Sequence, residues 1–153
     1  MEVEIFTGLV MLDSNSRIYL IKEEDKHEVG QGRWNLPGGG VDVGEGMMEC
    51  AVREALEETG YEVELQSILG VYQGSKGESS WMFVVLEARI KSQKQKKVVD
   101  PDVKEGRWFS KEEFLALDDS LMVHPDMKVV YQAALEKKGL SLSDSKVIDF
   151  DKE

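Results

Sequence analysis

Runs of apolar residues with a two-residue period predict that much of this chain folds into β-strands. Residues 4–12 form a largely apolar run, and an Asp-Ser-Asn-Ser turn separates them from an alternating run at 17–22. We therefore expect these two strands to pair as a hairpin. Four further strands are predicted at 34–36, 62–71, 81–90 and 106–109. The run at 81–90 has the strongest β-propensity, which favours a central place in the sheet.

Three other segments show helical spacing. Residues 46–59 are predicted to form a helix, because a period of 3.6 residues places five mostly apolar residues on one face: Met48, Ala51, Val52, Ala55 and Thr59. Gly60 follows at the place where a left-handed C-terminal cap is expected. A helix at 111–117 follows a Ser-Lys-Glu-Glu capping box, and a third helix, at 127–138, is expected to end at Gly139.

Together these elements predict one α/β domain over residues 1–139, with a mixed sheet covered by helices on both faces. A chain of 153 residues is long enough to build such a core without disulfides or a structural metal. Residues 140–153 are polar and are expected to form a partly disordered tail.

Composition and charge exclude several classes of partner. The chain has 19 basic and 30 acidic residues, a formal charge of −11, and a field of that sign repels nucleic-acid polymers and anionic lipid. The apolar runs are too short to cross a bilayer, and the N-terminus lacks the pattern of a secretory signal. The lone Cys50 fits a reducing compartment. We therefore expect a cytoplasmic protein that binds neither nucleic-acid polymers nor membranes.

The predicted helix at 46–59 carries a cluster of carboxylates. Spacings of three and four residues place Glu54, Glu57 and Glu58 side by side, where they repel one another, and Arg53 offsets this only in part. Clustered oxygen ligands suit Mg²⁺ or Mn²⁺, which bridge to phosphate oxygens. The helix taken alone favours a solvated charged face over a metal site. The preceding glycines, 38–40, favour the metal site because they let the backbone approach a ligand closely.

These residues together resemble the signature of the Nudix hydrolases. The signature begins at Gly39, and Glu45 follows after five residues. After seven further residues comes Arg-Glu-Ala-Leu-Glu-Glu-Thr-Gly at 53–60, so each fixed position has its proper spacing. Tyr61 replaces the usual aliphatic residue, and Ala55 is small for its position, but both differences affect packing more than chemistry. The lead-in Trp-Asn-Leu-Pro-Gly-Gly-Gly is also similar to the family.

The resemblance implies a Nudix fold, an α/β/α sandwich, and a MutT-like pyrophosphohydrolase dependent on Mg²⁺, with Mn²⁺ as the alternative. The expected substrate is a nucleoside di- or triphosphate, or a nucleoside diphosphate linked to another group, cleaved by metal-activated water attack on phosphorus. It further implies metal ligation by Glu54, Glu57, Glu58 and the backbone of Gly39 or Gly38. Homodimers are frequent in the family, so a homodimer is an open alternative.

The resemblance also implies roles for the other residues of the signature. Arg53 would orient the carboxylates through charge-assisted hydrogen bonds, Glu45 would brace the loop, and Gly60 would end the helix. For the general base the first choice is Glu54, and the second is a downstream glutamate, for which Glu105 is the candidate.

Candidates outside the signature have weaker support. Near the glycines, Arg33 could contact phosphate, Trp34 could stack on a flat group, and Gly40 could contact the substrate through its backbone. Glu105 could equally be a solvated loop carboxylate, and for Asp102 a solvated loop carboxylate is the favoured interpretation. Stacking on a base is also open to Tyr72, Trp81 and Phe83. The basic segment 91–97 is interpreted as a solvated loop, with attraction of an anionic substrate as the alternative.

Two other functions fit the same residues. A Nudix-like domain could bind nucleotide as a sensor without cleaving it, although the complete glutamate set argues against that. An isomerase on the same fold is disfavoured by the short chain and by the setting of Cys50. A diphosphate other than a nucleotide, such as a cofactor precursor, is also compatible, because the signature specifies the bond-breaking apparatus and not the rest of the substrate.

Overall fold

The computed structural model describes residues 2–24 and 32–143, and within them the chain forms a mixed sheet flanked by helices. The strands are β1 (Glu2–Leu12), β2 (Ile18–Glu23), β3 (Trp34–Asn35), β4 (Gly38–Gly40), β5 (Val63–Lys76), β6 (Ser79–Ile90), β7 (Val103–Phe109) and β8 (Leu140–Ser141). The helices are α1 (Met47–Thr59), α2 (Lys111–Ala116) and α3 (Asp126–Leu135), with a 3₁₀ turn at Asp119–Leu121.

Strand β1 lies in the middle of the sheet and explains its mixed character. It pairs in parallel with β6 and antiparallel with β2 and β4 in the order β3-β2-β1-β6-β5-β8, while β7 adds to β2. Leu9 and Met11 face the core under α1. Val10 and Leu12 face the core under α2 and α3. Because both faces of β1 are buried, its sequence is a continuous apolar run, and the predicted α/β/α sandwich is confirmed.

Helix α1 is rotated relative to its predicted apolar face. Val52 was expected to be buried but is 40% exposed, whereas Cys50 and Glu58 are buried. The difference arises because this helix packs against the glycine strand as well as the hydrophobic core, so one polar residue joins its buried side. Gly60 adopts the predicted left-handed cap, with φ of 76°.

The glycine segment was predicted to be a loop and instead contains strand β4. Its three residues pair antiparallel with residues 6–8 of β1. The approach is so close that a Cβ on Gly38 would lie 2.0 Å from the carbonyl oxygen of Thr7. Glycine has low β-propensity, so sequence patterning misses a strand that depends on the absence of side chains.

The hairpin of β5 and β6 is longer than predicted. Residues 74–80 were expected to be a flexible loop, but both strands continue to a tight turn at Gly77 and Glu78. Helix α3 is shorter than predicted, ending at Leu135 before Gly139.

Strand β8 corrects the start of the predicted tail. Ser141 pairs with Ser67 of β5, so the ordered sheet includes residues 140 and 141. The rest of that tail from 144 onward lies outside the described residues, and the domain limits stay a prediction. Within the ranges 2–24 and 32–143, no helix is long and apolar enough to span a bilayer.

Replacing Gly60 by Ala tests how closely a neighbouring segment approaches the end of α1. An added Cβ would lie 2.0 Å from the carbonyl oxygen of Lys96, and φ is positive as well. We expect a loss of about 2–4 kcal/mol in the free energy of unfolding, measured by urea titration. Gly44 is the matched control, since its φ is +79° with nothing within 4 Å. Gly44→Ala should cost only about 1 kcal/mol, and equal losses would contradict the steric account.

Candidate active site

Arg53 is the centre of an ion-pair network that links the glycine-rich loop to helix α1. Its Nε donates to Glu45 Oε2 at 2.6 Å and its Nη2 to Glu45 Oε1 at 3.0 Å. Its Nη1 donates to Glu54 and to Glu57, both at 3.1 Å. The bonds from Arg53 to Glu45 lower the pKa of Glu45 to about 2. Glu45 is thus held ionised, and through Arg53 it fixes two carboxylates of the helix.

The carboxylates of Glu54, Glu58 and Asp100 form an acidic cluster. Each offers an oxygen, and these oxygens lie within 4.8 Å of one another. Glu58 Oε1 accepts a hydrogen bond of 2.7 Å from the backbone N–H of Gly38. A Cβ on Gly39 would lie 2.6 Å from Glu54 Oε1. The glycines of β4 therefore allow the helix carboxylates to pack directly on the backbone of the strand.

Burial of this cluster alters its protonation. Glu58 is 2% exposed, and its pKa is raised to about 10, first by desolvation and then by its hydrogen bond with Glu23 and the charge of Glu23. The pKa of Glu54 is also raised, mainly by burial. In this environment a proton or a cation must compensate the buried negative charge.

The acidic cluster fits a hard divalent cation. Its donor set consists of carboxylate oxygens, which Mg²⁺ and Mn²⁺ prefer over nitrogen or sulfur. The backbone carbonyl of Gly39, the predicted further ligand, lies 3.5 Å from the hydroxyl of Thr7 and 3.7 Å from Cys50 Sγ.

Two members of the site were missed by sequence reasoning. Asp100 reaches the cluster because the N–H groups of Val99 and Asp100 both donate to the carbonyl of Glu57 at 3.1 Å. Glu23 comes from the end of β2 and bonds with Glu58. Both are distant in sequence from the signature. The sequence offered only weak signals for them: Glu23 is an acidic residue at the end of a predicted strand, and Asp100 is an acidic residue beside a proline.

The structure divides the predicted glutamate trio. Glu57 turns toward Arg53 and is absent from the acidic cluster as found among the described residues. Its predicted role as a metal ligand stays a prediction.

Glu105, the predicted downstream base, lies on the other face of the sheet. In the pairing of β2 with β7, Glu105 is opposite Lys22, and Val103 is opposite Glu23. Residues opposite each other share a face. Lys22 Nζ lies 4.6 Å from the centroid of the Trp34 ring. Trp34 belongs to the hydrophobic core on the face of the sheet opposite α1, so Lys22 and Glu105 lie on that face. The register thus directs Glu105 away from the acidic cluster. On that other face Glu105 forms a 3.9 Å ion pair with Lys22.

The substrate contacts predicted beside the glycines are also rearranged. Trp34 is buried, and its ring packs edge-on against Phe109 with centroids 4.9 Å apart. This packing does not support the predicted stacking of Trp34 on a substrate. Arg33 is exposed, and Gly40 is exposed with its carbonyl 3.4 Å from Cys50 Sγ.

A cavity of about 250 Å³ lies on the side of the sheet that carries α3. Asn35 lines it, and its Oδ1 accepts a 2.8 Å bond from the N–H of Leu36, which leaves the side-chain NH₂ as a donor. Residues 35–38 connect the cavity to the glycine that bonds Glu58. The other lining residues are mostly apolar or aromatic: Leu36, Tyr72, Trp81, Phe83, Val85, Val123, His124, Asp126, Met127 and Val130.

Comparison with known families identifies this arrangement. The NUDIX domain model matches residues 5–133, which is most of the chain. The chain belongs to the Nudix family. Among solved structures, a NUDIX hydrolase from Nitrosomonas europaea shares the fold with a TM-score of 0.79 at 19% identity, over 97% of this chain and 99% of that one.

Curated relatives carry the names of several phosphohydrolases. A Bacillus subtilis protein proposed as an 8-oxo-dGTP diphosphatase is 46% identical over 68 residues, which cover 44% of this chain and 42% of that protein. The RNA pyrophosphohydrolase of Pelagibacter ubique is 27% identical over 139 residues, covering 79% of this chain and 86% of that protein. The chain spans less than half the length of several relatives, including the Bacillus protein.

The raised pKa of Glu58 predicts how pH and Mg²⁺ act on stability. At neutral pH the folded, metal-free protein holds this proton, whereas the unfolded chain, with a carboxyl pKa of 4.5, does not. The folded state binds more protons, so its free energy of unfolding should fall as pH rises from about 6 to about 9. A cation must displace the proton, so stabilisation by Mg²⁺ should grow over the same range.

Melting temperatures with EDTA and with Mg²⁺, measured at several pH values, check this expectation. Glu58→Gln is the control, because it removes the titrating group and should flatten the dependence of the Mg²⁺ effect on pH. If Mg²⁺ raises the melting temperature of the original chain equally at both ends of the pH range, a bound cation does not displace the proton of Glu58, and the expectation is wrong.

Proposed function

We propose that this Nudix protein is a pyrophosphohydrolase that uses Mg²⁺, or alternatively Mn²⁺, to cleave a phosphoric anhydride bond in a small nucleotide. The observation that carries this proposal is the acidic cluster of Glu54, Glu58 and Asp100, packed on the glycine strand. A protein of formal charge −11 needs cations between its carboxylates and an anionic substrate.

The residues of the site have distinct roles in this proposal. A cation bound there would neutralise phosphate charge and lower the pKa of a water molecule. Glu54, Glu58 and Asp100 would hold the cation, with the Gly39 carbonyl as a further ligand. Arg53 donates to Glu54 Oε1 and so orients that carboxylate, leaving Oε2 to accept the proton of the attacking water. Glu54 is therefore the proposed base, and the face occupied by Glu105 argues against the alternative.

The cavity supports a nucleotide substrate. Pockets that take drug-sized ligands measure roughly 300–1,000 Å³, so a cavity of about 250 Å³ suits one flat ring system and leaves the phosphates outside. Tyr72, Trp81 and Phe83 offer aromatic surface for stacking. The NH₂ of Asn35 and the carboxylate of Asp126 offer a donor and an acceptor to a base edge. The name of the Bacillus relative, a proposed 8-oxo-dGTP diphosphatase, favours the same class, whereas the name of the Pelagibacter relative refers to RNA and supports only the type of bond cleaved.

Substitution of the carboxylates tests the chemistry. Glu54→Gln should lower kcat by about 10²–10⁴-fold, because it removes a general base. Asp100→Asn should raise the Mg²⁺ concentration needed for half-maximal activity by about 10-fold or more. The assay follows phosphate products over a panel of nucleotides and other diphosphates. Glu105→Gln is the control and should retain near-normal turnover; a loss as large as that of Glu54→Gln would restore Glu105 as the base. No hydrolysis of any compound by the original chain would favour the sensor function.

Substitution in the cavity tests the substrate class. Trp81→Ala and Asp126→Asn should each raise KM for the best nucleotide by about 5–50-fold with a smaller effect on kcat, because one stacking or polar contact is lost. Val129→Ala, on the exposed side of α3, is the matched control. If KM is unchanged in both cavity variants, the base does not bind there, and a non-nucleotide diphosphate becomes the better candidate.

A further inference from the structure

Residues 91–100, which we name the strap, lack regular secondary structure but are fastened to the C-terminal turn of α1. The N–H of Lys96 donates to the carbonyl of Gly60 at 2.8 Å. The N–H groups of Val99 and Asp100 both donate to the carbonyl of Glu57 at 3.1 Å. The strap therefore supplies donors to the helix carbonyls that lack partners within α1.

Gln95 adds a side-chain fastening to these backbone bonds. Its Nε2 donates to the carbonyl of Thr59 at 2.9 Å and to the hydroxyl of Tyr19 at 3.3 Å. One amide group thus ties the strap to both α1 and β2. An ion pair between Lys96 and Glu62 also holds the strap, but both side chains are more than half exposed, so it should contribute little.

The fastening matters because the strap ends at Asp100. Without a cation, Asp100 is repelled by the carboxylate of Glu54, since like charges at this separation disfavour one another. A strap with most of its residues exposed has few apolar contacts to oppose that repulsion. Its hydrogen bonds to α1 oppose the repulsion, together with the 2.9 Å bond that Asp100 Oδ1 accepts from the N–H of Asp102.

We propose that Gln95 is a positioning residue for the metal site. It holds the strap on the last turn of α1, so that Asp100 is already placed against Glu54 and Glu58 when the cation arrives. This inference rests on the proposed function in one respect, namely that Asp100 is a cation ligand. The role of Gln95 itself comes from the contacts of its amide with Thr59 and Tyr19.

Hydrogen exchange in the metal-free protein tests the first half of the proposal. Gln95→Ala should speed exchange of the N–H groups of Lys96, Val99 and Asp100 by ~3–10-fold, as expected for loss of one or two net hydrogen bonds. Lys97→Ala, with an exposed side chain in the same strap, is the matched control and should leave these rates unchanged. Unchanged rates in Gln95→Ala would overturn the proposal.

Mn²⁺ binding, measured by titration calorimetry, tests whether the effect passes through Asp100. Gln95→Ala should weaken Mn²⁺ binding by ~3–10-fold in the original chain and by less than about 2-fold in an Asp100→Asn background. Equal weakening in both backgrounds would show that Gln95 acts by general stabilisation and would overturn the proposal. If Asp100→Asn itself leaves Mn²⁺ affinity unchanged, Asp100 is not a ligand, and the positioning role of Gln95 at the metal site is overturned; the exchange result then separates this failure from a failure of the fastening itself.

Discussion

The site depends on one close approach between a helix and a strand without side chains. Glu54 and Glu58 reach the backbone of β4 because Gly38 and Gly39 have no Cβ. An alanine at Gly39 would meet the Glu54 carboxylate, and one at Gly38 would meet the backbone of Thr7. Side chains at these positions would push α1 outward and separate the carboxylates from the strand. The glycines therefore set the geometry of the acidic cluster as well as the path of the loop.

That close approach has an electrostatic cost. A carboxyl that is 2% exposed beside other acidic groups is ionised with difficulty, and the raised pKa of Glu58 expresses this. Arg53 compensates part of the charge, since it bonds Glu45 on one side and Glu54 and Glu57 on the other. It does not bond Glu58 in the hydrogen-bond and ion-pair network of the described residues. In the metal-free protein a proton on Glu58 therefore compensates the remaining charge, and a bound cation would take its place, a pattern typical of functional sites.

The position of β1 connects this site to the cavity. Its pairing with β4 places the glycines over α1, and its pairing with β6 places Phe83 on the opposite face near the cavity. Gly8 allows this second approach, because a Cβ there would lie 2.6 Å from the Phe83 ring. One buried strand thus supports the acidic cluster on one side and the aromatic wall of the cavity on the other. The proposed separation of bond cleavage from base recognition follows from these two faces.

The sequence by itself determined the features that depend on near neighbours along the chain. The spacing of Glu54 and Glu58, the cap at Gly60 and the β1–β2 hairpin follow from helical period, left-handed glycine and turn composition. Tertiary structure decided which carboxylates meet. The pairing register of β2 and β7 decides that Glu23 and Glu105 lie on opposite faces of the sheet, and this register shifts at an irregularity after Lys22. A one-residue shift in register reverses the face of every later side chain, and local patterning does not encode it. Asp100 arrives through hydrogen bonds between a strap and a helix terminus more than 30 residues apart in sequence. Such contacts arise from the path of the folded chain, so neither residue type nor spacing could reveal them.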